Sequence, residues 1–557
     1  MFRKCRNGII IGLLVVMAGA LAFRPSDGYF EMAKSLDIMA SVYRDLNLYY
    51  VDSVDPARLM QTGIEAMTES LDPYTYYFSE DDLGDLDFQT TGKYGGVGTS
   101  IRRTGDSIVV TDVLASAPFA KAGIRPGDVI LKLDGKAAPT LSLEQISGLL
   151  KGDPGTGLDI TIRHPFTGKA TRLQITRQQV DIRGVAYVGL AADSIGYVKM
   201  IQFTQGVAGE MARAVKTLKK EHPAMKGLVI DLRGNPGGLL NEAVKTANLF
   251  IPLGDTILTT RGRVSEWNRV YRATATPLDS HIPLAVLVDD HSASASEIVA
   301  GAIQDLDRGV VVGRRSFGKG LVQTTRNLPY HTKMKITTAK YYTPSGRCIQ
   351  AIDYAHRGED GSIAYIPDSL KRDFHTRDGR MVMDGGGIAP DQLVPRKPLS
   401  NIATSLITNH LIFDYATRYY YRHRSHSATP VAGKFRLSEE DFEGFIRFLK
   451  DKDYSYKTRT ELALERFKSV AEKEGYFKAV GKDYQALQQR LTHDKRQDLL
   501  KHKVEITRLL EAEIMSRYYF QNGRIAQRLP TDPAVLAAVN LLDNHRQYQK
   551  LLHVAPQ

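Results

Sequence analysis

The stretch DDHSASASEIVAGAIQDLDRGVVVGRRSFGKGLVQ, residues 289–323, decides how the chain is read. The apolar run 284–288 before it predicts a buried strand and residues 297–304 predict a helix, so a Ser/Ala turn lies at a strand-to-helix junction. Unpaired N–H groups and the positive dipole end of a helix stabilise a developing oxyanion at such a place. A second strand, 310–312, leads into Phe317-Gly318-Lys319-Gly320. A serine and a lysine on neighbouring turns point to a Ser/Lys hydrolase. A lysine acting as base must be neutral, so its pKa has to fall from about 10.4 towards 7 or 8, roughly 4 kcal/mol of desolvation and cationic surroundings. The residues alone leave Ser292, Ser294 and Ser296 open as nucleophile, because each serves equally well as a helix N-cap.

The same glycines imitate a phosphate-binding loop. Gly313 to Lys319 has the GxxxxGK spacing, but Gly320 stands where a Ser or Thr would bind magnesium. Residues 321–325 are β-branched and strand-like, whereas that loop must open a helix. Gly-x-Ser-x-Gly does not occur in this part of the chain, which argues against α/β-hydrolase chemistry.

Outward from this stretch, strand and helix patterns alternate: 195–201, 207–218, 227–232, 239–250 and 335–342. That predicts an α/β core with its functional loops at the carboxyl ends of strands. The loop Arg233-Gly-Asn-Pro-Gly-Gly238 is one of them, and its glycines suit backbone amides aimed at an oxyanion. Upstream the period changes to short alternating strands around Tyr94-Gly95-Gly96-Val97-Gly98, with AGIRPGDVI at 122–130 and a capped helix at 143–150. These residues resemble a PDZ domain, in which successive N–H groups of the glycine loop receive a terminal carboxylate and the peptide adds as a strand. Helical stripes precede this region: Leu36, Met39, Tyr43 and Leu46, then Met60, Ile64, Met67 and Leu71, expected to be core.

The 557 residues, with 43% hydrophobic and 24% charged, are too many for one core. The expected division is a leader at 1–23, a helical domain at 29–87, a PDZ domain at 88–178, an α/β core at 179–399 and a helical domain at 400–557. Arg3, Lys4 and Arg6 ahead of an apolar run ending near Phe23 predict a signal peptide or N-terminal anchor, and so export to the periplasm or cell envelope. The net charge of +12 comes without a nucleic-acid motif and is read as a basic solvated surface, with no nucleic-acid partner. Cys5 and Cys348 form no metal-ligand cluster, and no cofactor or metal is expected. Residues 353–384 read as a turn-rich surface insertion, and Tyr419 to Tyr421 with His423 and His426 as a solvated or packed helix face.

The segments SASASEIVAGAIQD, GRRSFGKGLVQ, VIDLRGNPGG and AKYYTPSGRCIQ resemble, in order, the signature blocks of the carboxyl-terminal processing peptidases, or tail-specific proteases. The resemblance spans roughly residues 36–394 and implies a multidomain α/β serine endopeptidase with an inserted PDZ domain. It implies that Ser294 is the nucleophile, that Lys319, 25 residues on, is the base, and that Gln323 orients the lysine. It further implies an oxyanion hole from the amide of Ala295 with Gly237, or alternatively Gly238. Tyr94, Gly95, Gly96 and Val97 are the implied peptide-binding residues, and the implied substrates are exported proteins with apolar C-terminal tails. A homo-oligomer is also among the expected partners. A non-catalytic PDZ scaffold or envelope chaperone on a peptidase fold is the alternative function. The tail beyond Ser400 inherits no role.

Overall fold

The computed structural model of the protein describes residues 27–166, 168–358, 362–424, 428–491 and 495–552. The expected leader with Cys5, and His426, lie outside these. The described residues form two compact units: those up to Ser79 with Thr325–Ile336, and Glu80–Thr324 with those from Thr337 onward.

In the first unit, α1 (Asp27–Tyr49) is followed by α2 (Pro56–Glu69). Asp55 caps α2 by accepting the N–H groups of Ala57 and Arg58, and Pro56, with no N–H to satisfy, takes the first helical position. A short strand, β1 (Tyr76–Phe78), pairs antiparallel with Lys333–Lys335. The apolar stripes expected to be core are largely open: Leu36 is 62% exposed, Met67 50% and Leu71 56%. Two helices cover only one face of each other, which leaves the remaining apolar side chains in water. The unit also ends sooner than residue 87, since α3 (Leu83–Thr91) belongs to the second unit.

The second unit begins with a PDZ-like sandwich. After β2 (Lys93–Gly96) come β3 (Thr99–Thr104), β4 (Ser107–Val113), β5 (Val129–Leu133), α4 (Leu143–Leu150), β6 (Gly157–Arg163), β7 (Ala170–Thr176) and β8 (Gln178–Asp181). The sheet runs β3-β4-β5-β6-β7 with antiparallel neighbours, and β2 pairs with β8. Ser142 and Gln145 form the expected capping box at the start of α4, and Ile146 and Leu150 face the core formed by Ile108, Val110, Ile130 and Ile160.

The core of this unit is a six-stranded sheet. Its strands are β9 (Val185–Ala192), β10 (Ile195–Met200), β11 (Gly227–Asp231), β12 (Leu284–Val288), β13 (Val310–Gly313) and, after β14 (Leu321–Asn327) and β15 (Lys333–Tyr342), β16 (Gln392–Leu393). The order β9-β10-β11-β12-β13-β16 is parallel except for the first pair. Adjacent residues of the central strands point to opposite faces, and both faces are buried. Ile230, Val286 and Val311 pack under the helices α5 (Val207–Glu221), α6 (Leu240–Asn248) and α7 (Ala295–Asp305). Val229, Leu287 and Val312 face the other way, against Val535, Ala538 and Leu542.

Those last three residues lie in the C-terminal region, which holds α8 (Leu411–His423), α9 (Glu439–Phe448), α10 (Lys503–Arg528), α11 (Pro533–Asp543) and α12 (His545–Leu552). The expected core boundary at 399 therefore cuts the sheet from helices that cover one of its faces. The rest of this region seats the PDZ-like sandwich. Arg102 pairs with Asp414, the Tyr421 hydroxyl donates to Asp128 at 2.7 Å, and Arg125 lies 4.5 Å over the Phe520 ring. Phe520 has a positive φ of 55° at a kink in α10, which turns its ring towards that sandwich. His423 stacks on Tyr419 at 4.0 Å, so the helix face is packed there. The insertion at 353–384 forms two short hairpins and is clamped from below: Arg380 bonds Asp307 and Asp391, and buried Arg347 bonds Asp305.

Candidate active site

Three loops leave the carboxyl edge of the parallel sheet side by side: Leu232–Leu239 after β11, residues 289–294 after β12 and residues 314–320 after β13. They carry the candidate oxyanion glycines, serines and lysine, so the topology gathers residues that lie far apart in sequence.

The three serines, indistinguishable by sequence, differ sharply here. The Ser292 hydroxyl is fully buried, donating to the Leu232 carbonyl at 2.9 Å and accepting the Asp289 N–H at 2.9 Å. The Ser296 hydroxyl, also fully buried, donates to the Asn235 carbonyl at 2.9 Å. Both tie the serine turn to the loop after β11. Ser294 alone of the three is only half-buried, and it sits at the strand-to-helix junction with φ 55° and ψ −112°. A non-glycine residue with positive φ costs of order 1–3 kcal/mol, which the surrounding structure must hold in place. Its holders are visible: the Ser294 N–H donates to Glu297 at 2.8 Å and its carbonyl accepts the Tyr341 hydroxyl at 3.2 Å.

Glu297, fully buried, also organises the lysine loop. One oxygen, Oε2, accepts the N–H groups of both Ser294 and Lys319, the latter at 2.9 Å, and Oε1 accepts the Gly318 N–H at 2.7 Å and the Ser316 hydroxyl at 2.5 Å. Burial pushes its pKa up, and Ser316 with the three N–H groups pulls against that. The Phe317 N–H reaches the Ser292 carbonyl at 3.0 Å, a second tie between the two loops. Tyr341 is held well above the usual phenol range by burial and then by the Glu297 charge, so it remains a donor. Lys319 is half-buried, as is Gln323, whose Nε2 donates to Thr337 at 3.2 Å. Leu321–Asn327 is a strand, as the rejection of a phosphate loop requires.

The glycine loop presses directly on the serine. A Cβ on Gly237 would lie 2.9 Å from the Ser294 Cβ and 2.9 Å from the Ala295 nitrogen, and φ there is 102°. The Gly237 N–H, the oxyanion donor that the family resemblance implies ahead of Gly238, donates to Asn235 Oδ1 at 2.9 Å. Among the described residues the N–H groups of Gly238 and Ala295 meet no protein acceptor. Phe203 pins this end of the loop, donating to the Gly237 carbonyl and accepting the Leu239 N–H. At the other end, buried Asp231 accepts from Tyr197, Lys199 and Arg233.

In the PDZ-like sandwich, a groove of about 1130 Å³ is lined by Tyr94, Gly95 and Val97 together with Gly98, Thr99, Leu143 and Ser147, that is, between β3 and α4. Gly96 is absent from its walls; it pairs with Gln178 and packs under Leu150 and the Tyr94 ring.

Glu297 is the main functional residue that the sequence reading passed over, although Ser294-Ala-Ser-Glu297 has the S-x-x-E form of a capping box. Tyr341, Ser316 and Asn235 carry no comparable local signal.

Comparison with known proteins identifies three families along the chain. Peptidase family S41 matches residues 194–355, a PDZ domain matches 109–164, and the C-terminal helical domain of a probable PDZ-protease matches 402–542. A carboxy-terminal-processing protease of Bartonella bacilliformis is 35% identical over 341 residues, 61% of this chain and 77% of the relative. A probable CtpA-like serine protease of Staphylococcus haemolyticus is 30% identical, covering 61% of this chain and 69% of the relative. Among solved structures, the photosystem II D1 C-terminal processing protease is 28% identical with a TM-score of 0.34, covering 64% of this chain and 92% of that one.

Proposed function

The chain belongs to peptidase family S41, as a serine-type carboxy-terminal-processing protease with a PDZ domain, and on that premise we propose that Ser294 and Lys319 are its nucleophile and general base. The observation that carries this is the fate of the three serines: two hydroxyls are buried and bonded to backbone carbonyls, and the third stands at a strained turn whose N–H shares a carboxylate with that of the lysine.

Neutral Lys319 takes the Ser294 proton as the oxygen attacks the peptide carbonyl. The carbonyl π pair moves onto oxygen, and the N–H groups of Ala295 and Gly238 receive the resulting oxyanion. Gly237 serves by being small enough to lie against Ser294. Collapse breaks the C–N bond, and the Lys319 ammonium gives its proton to the leaving amine. Water then hydrolyses the acyl-enzyme by the same proton route reversed, restoring serine and neutral lysine. Gln323, held by Thr337, orients the lysine.

The substrates are exported proteins with apolar C-terminal tails, bound in the groove beside Tyr94, with the leader as the route to the envelope, either cleaved or kept as an anchor. The exposed apolar helices of the first unit suit a homo-oligomer. Ser294→Ala and Lys319→Ala are each expected to lose more than about 1,000-fold in cleavage of a protein with an apolar tail while keeping the wild-type melting temperature. Near-normal turnover by either variant rejects the dyad.

A further inference from the structure

The loop that brings Gly237 and Gly238 to Ser294 begins at Arg233, and Arg233 is gripped from two directions. Its Nε and Nη2 donate to Asp231 at the end of β11, and its Nη1 donates to both oxygens of Asp532, at 2.9 and 3.0 Å. Asp532 lies 299 residues away in the C-terminal helical region. It is the N-cap of α11, accepting the N–H groups of Ala534 and Val535, so its own position is set by a helix packed on the sheet. The guanidinium is thus a planar wedge with a carboxylate on each side, the geometry to which arginine is suited.

Further along, the loop is held by the Asp289 carboxylate, which accepts the Gly234 N–H at 2.9 Å, and then by neutral bonds. Asn235 offers its carbonyl to the Ala293 N–H and the Ser296 hydroxyl, and Phe203 brackets Gly237 to Leu239. The Arg233 backbone is fixed at its carbonyl by Lys199 and at its N–H by Asp231. Asp532 is the group from outside the peptidase fold that fixes the side chain of the residue from which the loop departs.

Resting on the dyad and oxyanion reading above, we propose that Asp532 is a positioning residue of the catalytic site, setting the oxyanion loop through Arg233. The C-terminal helical region, which sequence resemblance left without a role, then supplies part of the apparatus for the chemical step. A positioning role in the transition state lowers kcat without altering capture of the tail.

The test uses the full-length protein carrying Asp532→Asn, Asp532→Ser or Asp532→Glu, beside Ser294→Ala. Asn and Ser both preserve helix capping while removing the charge. The expected result is a kcat reduced by about tenfold or more for Asn and Ser, with KM for an apolar-tailed substrate within about twofold. Labelling of Ser294 by a serine-directed phosphonate should slow in proportion, and Glu should recover most of the rate. The melting temperature of the Asn and Ser variants should stay within a few degrees of wild type. Unchanged kcat, or a loss that follows only the folded fraction measured in the same sample, overturns the proposal and leaves Asp532 as a helix cap. If Ser294→Ala retains activity, the dyad reading fails instead, whatever the Asp532 variants do.

Discussion

Ser294 and Lys319 are held by one oxygen atom: the backbone N–H of each donates to Oε2 of Glu297, at 2.8 and 2.9 Å. The spacing of these two backbone positions is therefore not left to two independent loops.

Glu297→Gln replaces an oxygen by an NH2 group that faces N–H donors. We expect kcat/KM to fall by about 100-fold, because a displacement of the order of 1 Å at the reacting atoms has that cost, while tail binding is preserved. Steady-state kinetics together with peptide binding would separate the two, and equal losses in both would refute a purely positional effect.

Ser292→Ala and Ser296→Ala each remove a buried hydroxyl that bonds a backbone carbonyl. Each should cost about 1–2 kcal/mol of stability and leave most of the turnover, in contrast to Ser294→Ala. Denaturant unfolding and activity measured on one preparation distinguish the three.

Acid should weaken the loop network in a defined direction. Burial raises the Asp231 carboxyl, but Arg233 and Lys199 more than offset it and hold the group well below its ordinary range. A depressed folded-state pKa gives stability that is complete above the unfolded value, about 3.9, and is lost as pH falls below it towards the folded value. Asp231→Asn should flatten the pH dependence of stability below about pH 4 and cost about 3 kcal/mol at neutral pH, by taking the buried carboxylate from Lys199 and leaving Arg233 with Asp532 as its one carboxylate partner. A mutant whose acid-unfolding slope matches wild type would contradict this.

A peptide with an apolar C-terminus should bind the groove beside Tyr94, and its C-terminal amide should bind at least about tenfold more weakly, a difference of 1.4 kcal/mol. Calorimetry on both peptides with the Ser294→Ala protein checks this, and equal affinity would remove the carboxylate from the recognition scheme.

Local chemistry was the legible part of the chain. The run Leu284–Val288 could be bounded to the residue, and Ser142 with Gln145 announced the start of α4, because strand burial and capping are written in neighbouring residues. The choice of Ser294 needed family resemblance at the sequence level, since only the fold shows Ser292 and Ser296 turned towards carbonyls of another loop. Leu36, Met67 and Leu71 misled, because periodicity shows which face of a helix is apolar and not what covers it. The Arg233–Asp532 pair had no local trace at all; a long-range ion pair is created by topology.

The helices α11 and α12 close the second face of the catalytic sheet, yet they lie far downstream of the strands they cover. A chain made from its N-terminus must therefore wait, with Val229, Leu287 and Val312 bare, until α11 has emerged. In that sense the sheet is completed out of chain order: its second face closes only after the sandwich of β2 to β8 has been made.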